Sequence, residues 1–359
     1  MNWPCFAAAL THDIVAVSES NGNAFAQVRL LSTSSLEAVG AIGARILSTH
    51  SPRLARPTGI LVCGSNLYVA DAELDSLQRC EFAVDVDGAV ETSALEIVRP
   101  PMVQGLQHLG HSVFSWSPYG LASWRPGGLA TTAAADGQRP SDRRRHLLFV
   151  SDSKNHRVVA LRCDEGHSLH SAFGGFGESP GCFDHPRGIA VDPRAGRQRV
   201  IVADRGNDRL QVASFGGASA DGAGSTQFLG VLGEHGRAPG QLLGPYAVAF
   251  VASAHGGASS GGASHHLLVS EFEGRRVQVL DTDSGEPLQV LRLPDALASG
   301  KWACPTAIAP SHDGRHVFVA SFNAHRIHEY AVEGLGAKVV HLGAVSSDDG
   351  RVLTAAPNE

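Results

Sequence analysis

The sequence lacks the residue patterns that mark several common functional classes. Its six cysteines are scattered and contain no C-x-x-C pair, whereas a zinc finger or RING domain needs clustered ligands. No run of about 20 apolar residues is present, so no membrane-spanning helix and no contact with membranes is predicted. Acidic residues outnumber basic ones by 35 to 29, which gives a formal net charge of −6. That balance provides no general basic surface for nucleic acid.

The cysteines are predicted to be free thiols. They are Cys5, Cys63, Cys80, Cys163, Cys182 and Cys304. Their wide spacing favours buried or half-buried thiols, and a disulfide framework is the less favoured alternative. Because free thiols persist in a reducing compartment, we expect a cytoplasmic protein.

Glycine is abundant, at 41 of 359 residues, as turn-rich all-β chains require, and one sequence motif recurs along the chain. Pro-x-Gly and small apolar residues are followed by a β-rich segment that ends in Ala or Ser and an acidic residue. A turn with Asn or Gly and a strand led by Arg come next. The clearest copy spans residues 186–192, 200–204 and 205–212. β-branched and aromatic residues bounded by Gly, Asp and Asn favour strands over helices.

Six copies of this motif cover the chain, and three of them are weaker copies without the glycine. They begin at Pro4, Pro57, Pro118, Pro186, Pro245 and Pro305, with 53 to 68 residues from one proline to the next. Four strand-like segments in each of six units predict an all-β fold, a six-bladed β-propeller of four-stranded blades, over residues 1–345. Residues 346–359 are expected to be a flexible C-terminal tail. The apolar first ten residues lack the positive charge of a signal peptide and fit a first inner strand.

Each part of the motif has an expected role. The glycine after the proline allows close backbone approach near a crowded axis. The Asp-x-x-Asn segment predicts a hairpin turn, and the following Arg is expected to pair with an acid of the adjacent blade. Inserts at 124–145, 192–199 and 252–266 separate the first and second strands of three units. They should emerge on the face opposite the prolines.

Residues 173–192, together with 203–209, resemble an NHL repeat almost letter for letter, and residues 232–242 repeat its glycine-rich lead-in. The resemblance implies a six-bladed NHL-type propeller. Some NHL propellers are substrate-recognition parts of ubiquitin ligases, and others bind single-stranded RNA. Related six-bladed proteins include a lyase with zinc and lactonases with calcium. We expect an interaction scaffold for a protein or peptide partner, with an RNA-binding propeller and a metal-dependent lyase or lactonase as alternatives.

The residues that flank each proline are expected to surround the axis on one face. Tyr, Trp and Arg dominate binding hot spots, so this face is a candidate partner surface, although its side chains could instead merely close the channel mouth. The candidate contact residues are Trp3, Arg56, Thr58, Tyr119, His185, Arg187, Tyr246 and Thr306. Among these positions there is no carboxylate and His185 is the one histidine, so no catalytic residue, metal ion or cofactor is predicted.

A second candidate surface lies on the insert-bearing face. Its basic residues, which would form a phosphate-binding patch, are Arg143, Arg144, Arg145, Arg197 and Arg199. The nearby Asp142 and Asp192 favour ordinary solvated loop charge, and RNA recognition also needs exposed aromatic residues, which are few here. We expect the protein to be a monomer.

Overall fold

The computed structural model contains six antiparallel sheets and, among the residues it describes, no α-helix. The described residues are 3–11, 13–20, 26–33, 37–43, 54–85, 89–98, 116–124, 146–163, 167–194, 196–218, 224–252, 265–293, 303–311, 313–333, 338–346 and 352–354. None of them forms a helix with the length and apolar composition needed to cross a membrane.

Each sheet is built from one contiguous stretch of chain. Blade 1 consists of β1 (Trp3–Ala9), β2 (Ile14–Ser20), β3 (Ala26–Ser32) and β4 (Ala38–Ile42). Blade 2 consists of β5 (Pro57–Cys63), β6 (Asn66–Asp71), β7 (Ser76–Val84), β8 (Val90–Thr92) and β9 (Glu96–Val98). Blade 3 consists of β10 (Pro118–Trp124), β11 (Leu147–Asp152), β12 (Arg157–Arg162) and β13 (Leu169–Gly174).

The second half of the chain repeats the arrangement. Blade 4 consists of β14 (Pro186–Val191), β15 (Arg199–Asp204), β16 (Arg209–Ala218) and β17 (Gly224–Leu232). Blade 5 consists of β18 (Pro245–Ala252), β19 (His265–Glu271), β20 (Arg276–Asp281) and β21 (Pro287–Arg292). Blade 6 consists of β22 (Pro305–Pro310), β23 (His316–Ser321), β24 (Arg326–Glu333), β25 (Lys338–Ser346) and β26 (Val352–Thr354).

The six sheets close into a ring. The inner strands contact one another in the order β1, β5, β10, β14, β18, β22 and back to β1. Apolar side chains of successive blades pack against each other in the gaps, for example Leu148 and Val150 of blade 3 against Tyr68 and Leu77 of blade 2. A buried strand such as β11 is enclosed on both faces, which explains its continuous apolar run. The predicted six-bladed β-propeller is therefore confirmed.

Two blades depart from four strands. In blade 2, β8 and β9 both pair with β7 and share the outer position. In blade 6, β26 pairs with β25 as a fifth strand, so residues 352–354 of the expected flexible tail form regular structure. The outer edge of β25 offers unpaired backbone groups, which an additional strand can satisfy.

A buried carboxylate closes the proline end of five blades. This residue is the last or second-last of the second strand, and its side chain is at most 2% exposed. In chain order the five carboxylates are Glu19, Asp71, Asp152, Asp204 and Glu271. In blade 3, Asp152 accepts hydrogen bonds from the Ser117 backbone N–H at 2.7 Å and from Arg157 Nε at 2.8 Å. It therefore joins the chain that enters the blade to the turn between its second and third strands.

The expected pairing of the strand-leading arginine with an adjacent blade is wrong. Arg157, Arg209 and Arg276 pair with Asp152, Asp204 and Glu271 of their own blades, at 2.7 to 2.8 Å. The reason is register, because each arginine directly faces its acid across the hairpin.

The cysteines support one test of the core. The described cysteines are free thiols, as predicted, and they are Cys63, Cys80, Cys163, Cys182 and Cys304. The Cys5 side chain lies outside the described residues.

Burial raises the pKa of Cys80 from 9.0 to about 11. At pH 8, we expect iodoacetamide to alkylate Cys80 at least about tenfold more slowly than the partly exposed Cys182, because burial hinders access of the reagent to Cys80 and disfavours its nucleophilic thiolate. Peptide mass spectrometry over time would measure both rates, and equal rates would contradict the packing.

Candidate binding site at the centre of the proline-side face

We define the proline-side face as the rim formed by the residues before each inner strand and the turns between second and third strands. Each proline faces the end of the second strand of its blade, as Pro118 faces Asp152 and Pro186 faces Asp204. The long inserts join the opposite ends of the same strands. The two faces predicted from the sequence are therefore confirmed for the strand ends that the structure describes.

Every inner strand has a register shift immediately after its proline. Such a bulge places one extra residue on the inner strand and changes the direction of its side chain. In blade 3, the Ser151 hydroxyl occupies the bulge, where it accepts from the Gly120 N–H at 2.7 Å and donates to the Arg187 carbonyl of blade 4. The residue after the proline is thus held apart from the regular strand pairing.

Glycine permits the inner strands to approach this closely. A Cβ atom on Gly120 would lie 2.3 Å from the Arg187 carbonyl oxygen, and one on Gly59 would lie 2.1 Å from that of Tyr119. A Cβ atom on Gly188 would lie 2.6 Å from the Ala247 Cα atom. These contacts confirm the role predicted for the Pro-x-Gly glycines.

The bulge residues of blades 3, 4 and 5 meet. The Arg187 guanidinium carbon lies 3.9 Å from the centre of the Tyr119 ring and 5.6 Å from that of Tyr246. The two tyrosine rings are 5.7 Å apart in an edge-to-face arrangement, and their hydroxyl groups are hydrogen-bonded to each other. A guanidinium over a tyrosine face is stabilised by about 0.5–2 kcal/mol, depending on its exposure.

Two phenylalanines extend this group into an aromatic row. Phe272 stacks on Tyr246 at 5.5 Å, and Phe322 follows at 6.3 Å. Arg205 lies 6.0 Å from the Phe272 ring centre and forms an ion pair with Glu273. We call Tyr119, Arg187, Tyr246, Phe272 and Phe322 the axial cluster.

Arg187 differs from the other core arginines because it has no acidic partner among the described residues. Its side chain is half-buried, and its Nε atom is buried without a hydrogen-bond partner in that part of the chain. Arg157, Arg209 and Arg276, in contrast, each contact a buried carboxylate. Stacking fixes the plane of the Arg187 guanidinium, whose N–H groups are suited to a planar anion such as a carboxylate.

The remaining predicted contact residues are not all at this surface. Arg56 and His185 are exposed, and the Trp3 side chain lies outside the described residues. Thr58 and Thr306 are 2% and 1% exposed, so the structure removes them from the contact surface. The Thr58 hydroxyl is 3.2 Å from both the Ala70 and Pro118 carbonyl oxygens, which places this small side chain between blades.

The basic patch is largely neutralised where it is described. Arg194, Arg197 and Arg199 contact the carboxylates of Asp192 and Asp283 at 2.6 to 2.8 Å. Burial favours a higher pKa for Asp192, but hydrogen bonds from Arg194 and Arg199 outweigh it and lower that pKa. Hydrogen bonding to Arg194 is the main reason that the pKa of Asp283 is also lowered. Arg143, Arg144 and Arg145 lie outside the described residues.

Arg205, Phe272 and Phe322 were not among the contact residues predicted from the sequence. Each directly follows the last residue of a second strand, the position after Asp204, Glu271 and Ser321 respectively. This position pairs with the residue before the proline of its blade, as the Phe272 N–H donates to the Gly244 carbonyl and the Phe322 N–H to the Cys304 carbonyl. The residue type at this position was the available signal.

Comparison with known proteins supports the fold. No family model and no curated protein matches the sequence. A solved structure from Lactobacillus plantarum is similar with a TM-score of 0.52 and 13% identity, over 95% of this chain and 84% of its own. Weaker similarity connects the chain to a nidogen/laminin complex (TM-score 0.48, 15% identity, 97% and 95% covered). A Bacteroides uniformis protein, proposed to be a 6-phosphogluconolactonase, has a TM-score of 0.49 and 11% identity over 94% and 83%.

Fold and site together define a class, the six-bladed β-propeller with an aromatic and cationic cluster at the centre of one face. At these identities the likeness describes architecture alone, and function has to be argued from the cluster.

Proposed function

We propose that this protein is an NHL-type interaction scaffold that binds a segment of a partner protein across the proline-side face. The observation that carries the proposal is Arg187, a stacked and half-buried arginine without an acidic partner among the described residues. The ligand group that best fits such a guanidinium is a carboxylate, which accepts two parallel N–H bonds. The preferred partner segment is therefore acidic or ends in a free carboxylate.

The aromatic row supplies the rest of the contact. Tyr246, Phe272 and Phe322 are partly exposed and follow one another round the face. Aromatic and arginine side chains at the centre of a surface contribute most of the binding energy in protein interfaces. We expect apolar side chains of the partner to lie on this row while its carboxylate contacts Arg187.

Two features favour a protein partner over RNA. The formal net charge of the chain is −6, so a phosphate backbone gains no general attraction. On the insert-bearing face, Arg194, Arg197 and Arg199 are already paired with Asp192 and Asp283. A scaffold of this kind would deliver the bound protein to an enzyme carried by other chains, as substrate-recognition subunits of ubiquitin ligases do, and we expect this in the cytoplasm.

Selection from a displayed peptide library would test the proposal. We expect the wild-type protein to enrich peptides with an acidic residue next to apolar ones. Arg187→Gln keeps a polar side chain but removes the charge, and it should weaken binding of the selected peptides at least about 30-fold, a loss of about 2 kcal/mol. Fluorescence anisotropy with labelled peptides would measure the affinities.

A matched control comes from the opposite face. The Arg315 side chain is 81% exposed, and its ion pair with Asp313 is long, at 3.9 Å. Because Arg315 lies away from the axial cluster, Arg315→Gln should leave peptide affinity unchanged. Loss of the contact with the Tyr119 ring should lower the unfolding temperature of Arg187→Gln by less than about 4 °C, so the variant remains folded at the temperature of the binding assay. Peptides without acidic residues, or peptides that bind Arg187→Gln equally well, would refute the role of the axial cluster. Tight RNA binding with a steep salt dependence would instead support the RNA alternative.

A further inference from the structure

Three side chains capable of metal binding meet where blade 3 adjoins blade 4 on the proline-side face. His156 ends the turn after β11, and Asp184 and His185 directly precede β14. The Oδ1 atom of Asp184 is 3.4 Å from His156 Nδ1 and 2.7 Å from His185 Nδ1. Within the described ranges, this is the group of three whose ligand atoms all lie within 4.8 Å of one another.

We infer that His156, Asp184 and His185 bind one divalent metal ion of the zinc class. Imidazole nitrogen and carboxylate oxygen lie about 2.0–2.2 Å from zinc, so tetrahedral ligand atoms are about 3.3 Å apart. The observed separations of 2.7 and 3.4 Å bracket that value, so the three ligand groups already lie close to the spacing of a tetrahedral site. The His185 side chain is 47% exposed, which leaves a fourth coordination position accessible to water.

The backbone at His185 adopts an unfavourable conformation that keeps its imidazole beside Asp184. His185 has a φ of 51°, in the left-handed region that non-glycine residues rarely adopt. The equivalent residue before the inner strand of blade 5 is Gly244, with a φ of 62°. Glycine would serve this backbone better, and strained residues of this type cluster at ligand-binding sites.

Surrounding groups hold the ligands in place. A Cβ atom on Gly206 would lie 2.3 Å from the Asp184 carboxylate, so the glycine makes room for it. The backbone of Asp184 is fixed by its N–H bond to Asp204 at 2.7 Å and by the Gly206 N–H at 2.8 Å. The His185 N–H donates to His156 Nδ1 at 3.1 Å, a long hydrogen bond that the metal ion would replace. Such outer contacts orient ligands before the ion binds.

The next junction between blades shows that the group is not a general feature of the repeat. There the equivalent residues are Asp208, Leu243 and Gly244, which offer one ligand in place of three. Asp208 instead accepts hydrogen bonds from the Gly244 N–H at 2.6 Å and from His235 Nδ1 at 2.7 Å. A single imidazole with a single carboxylate does not complete a zinc site.

Metal titration of the untagged, chelator-treated full chain would test the inference. We expect one Zn²⁺ per chain in competition with a chromophoric chelator, and Co²⁺ should give the strong visible absorption of a tetrahedral site. His156→Gln and His185→Gly should each lower Zn²⁺ affinity at least tenfold. Since His185→Gly also relieves an unfavourable φ, its metal-free form should unfold at the same temperature as wild type or higher.

His235→Gln is the matched control and should bind Zn²⁺ as the wild-type protein does, because it changes the related pair at the next junction. Equal affinity in wild type and His185→Gly, or the absence of a stoichiometric site in wild type, would overturn the inference. If His156→Gln does not fold, His185→Gly still decides the outcome. Peptide binding by the axial cluster is measured without metal, so either proposal can fail alone.

Discussion

Replacing Asp152 with alanine should lower the free energy of unfolding by about 3–5 kcal/mol, because it leaves a buried charge without its partner. The Arg157 side chain is 4% exposed and contacts Asp152 at 2.8 Å, and Asp152 itself is fully buried. The same carboxylate accepts the Asn155 side-chain amide and the Ser117 backbone N–H. Urea unfolding followed by intrinsic fluorescence would measure the change.

The control for this variant is an ion pair of similar length at the surface. Arg79 contacts Glu96 at 2.8 Å, but the Glu96 side chain is 67% exposed. Glu96→Ala should therefore cost less than about 1 kcal/mol. Similar losses in the two variants would mean that burial of the Asp152 pair does not determine its contribution.

The second large effect is expected from Gly120→Ala, which should destabilise the protein by about 3 kcal/mol. The added Cβ atom would be 2.3 Å from the Arg187 carbonyl oxygen and 3.0 Å from the Gly188 Cα atom. Both obstacles are backbone of the next blade, so they cannot move aside as a flexible side chain would, and overpacking of this kind costs about 1–3 kcal/mol or more. The shift should also displace Arg187, so peptide affinity should fall in the same variant.

Gly230→Ala provides the comparison within one type of substitution. Gly230 lies in the outer strand β17, and its added Cβ atom would meet nothing within 4 Å. Alanine is favoured over glycine inside a strand by about 0.5–1 kcal/mol, so this variant should be slightly more stable than wild type. A loss of stability in Gly230→Ala equal to that in Gly120→Ala would contradict the argument from close approach.

The fold could be predicted because its signals are local. Prolines 57, 118, 186, 245 and 305 each begin an inner strand, and β1 begins one residue before Pro4. A proline at the start of the first strand recurs in every unit, a glycine two residues later in three units, and an acid at the end of the second strand in five. Each of these features follows from backbone chemistry within one blade, so a single sequence is enough to find them.

The binding surface could be predicted only in part, because it depends on contacts between blades. Thr58 and Tyr246 occupy equivalent sequence positions, yet Thr58 is buried and Tyr246 is partly exposed in the axial cluster. Side-chain length decides the difference, since threonine fits between inner strands and tyrosine reaches beyond them. Phe272 and Phe322 come from the turns that follow second strands, so the inner-strand pattern that contains Tyr246 does not include them.

The candidate metal site was missed for a related reason. His185 stands directly before Pro186, where the repeat pattern draws attention to it, but His156 lies in the preceding blade, 29 residues earlier. The two rings are brought to 4.6 Å only by the packing of blade 3 against blade 4. One blade therefore supplies His156 and the entry to the next supplies Asp184 and His185, so the group of three forms only where the two blades meet.

Among the strands that the structure describes, none joins a sheet formed by a distant part of the chain. The four strands of blade 1 are consecutive, those of blade 6 are consecutive, and β1 meets β22 only across the gap between two separate sheets. Duplication or deletion of one proline-to-proline unit would thus add or remove a whole sheet and leave every remaining ladder intact. Propellers with more or fewer blades are accordingly reachable from this one by a single recombination event at the boundary of a repeat.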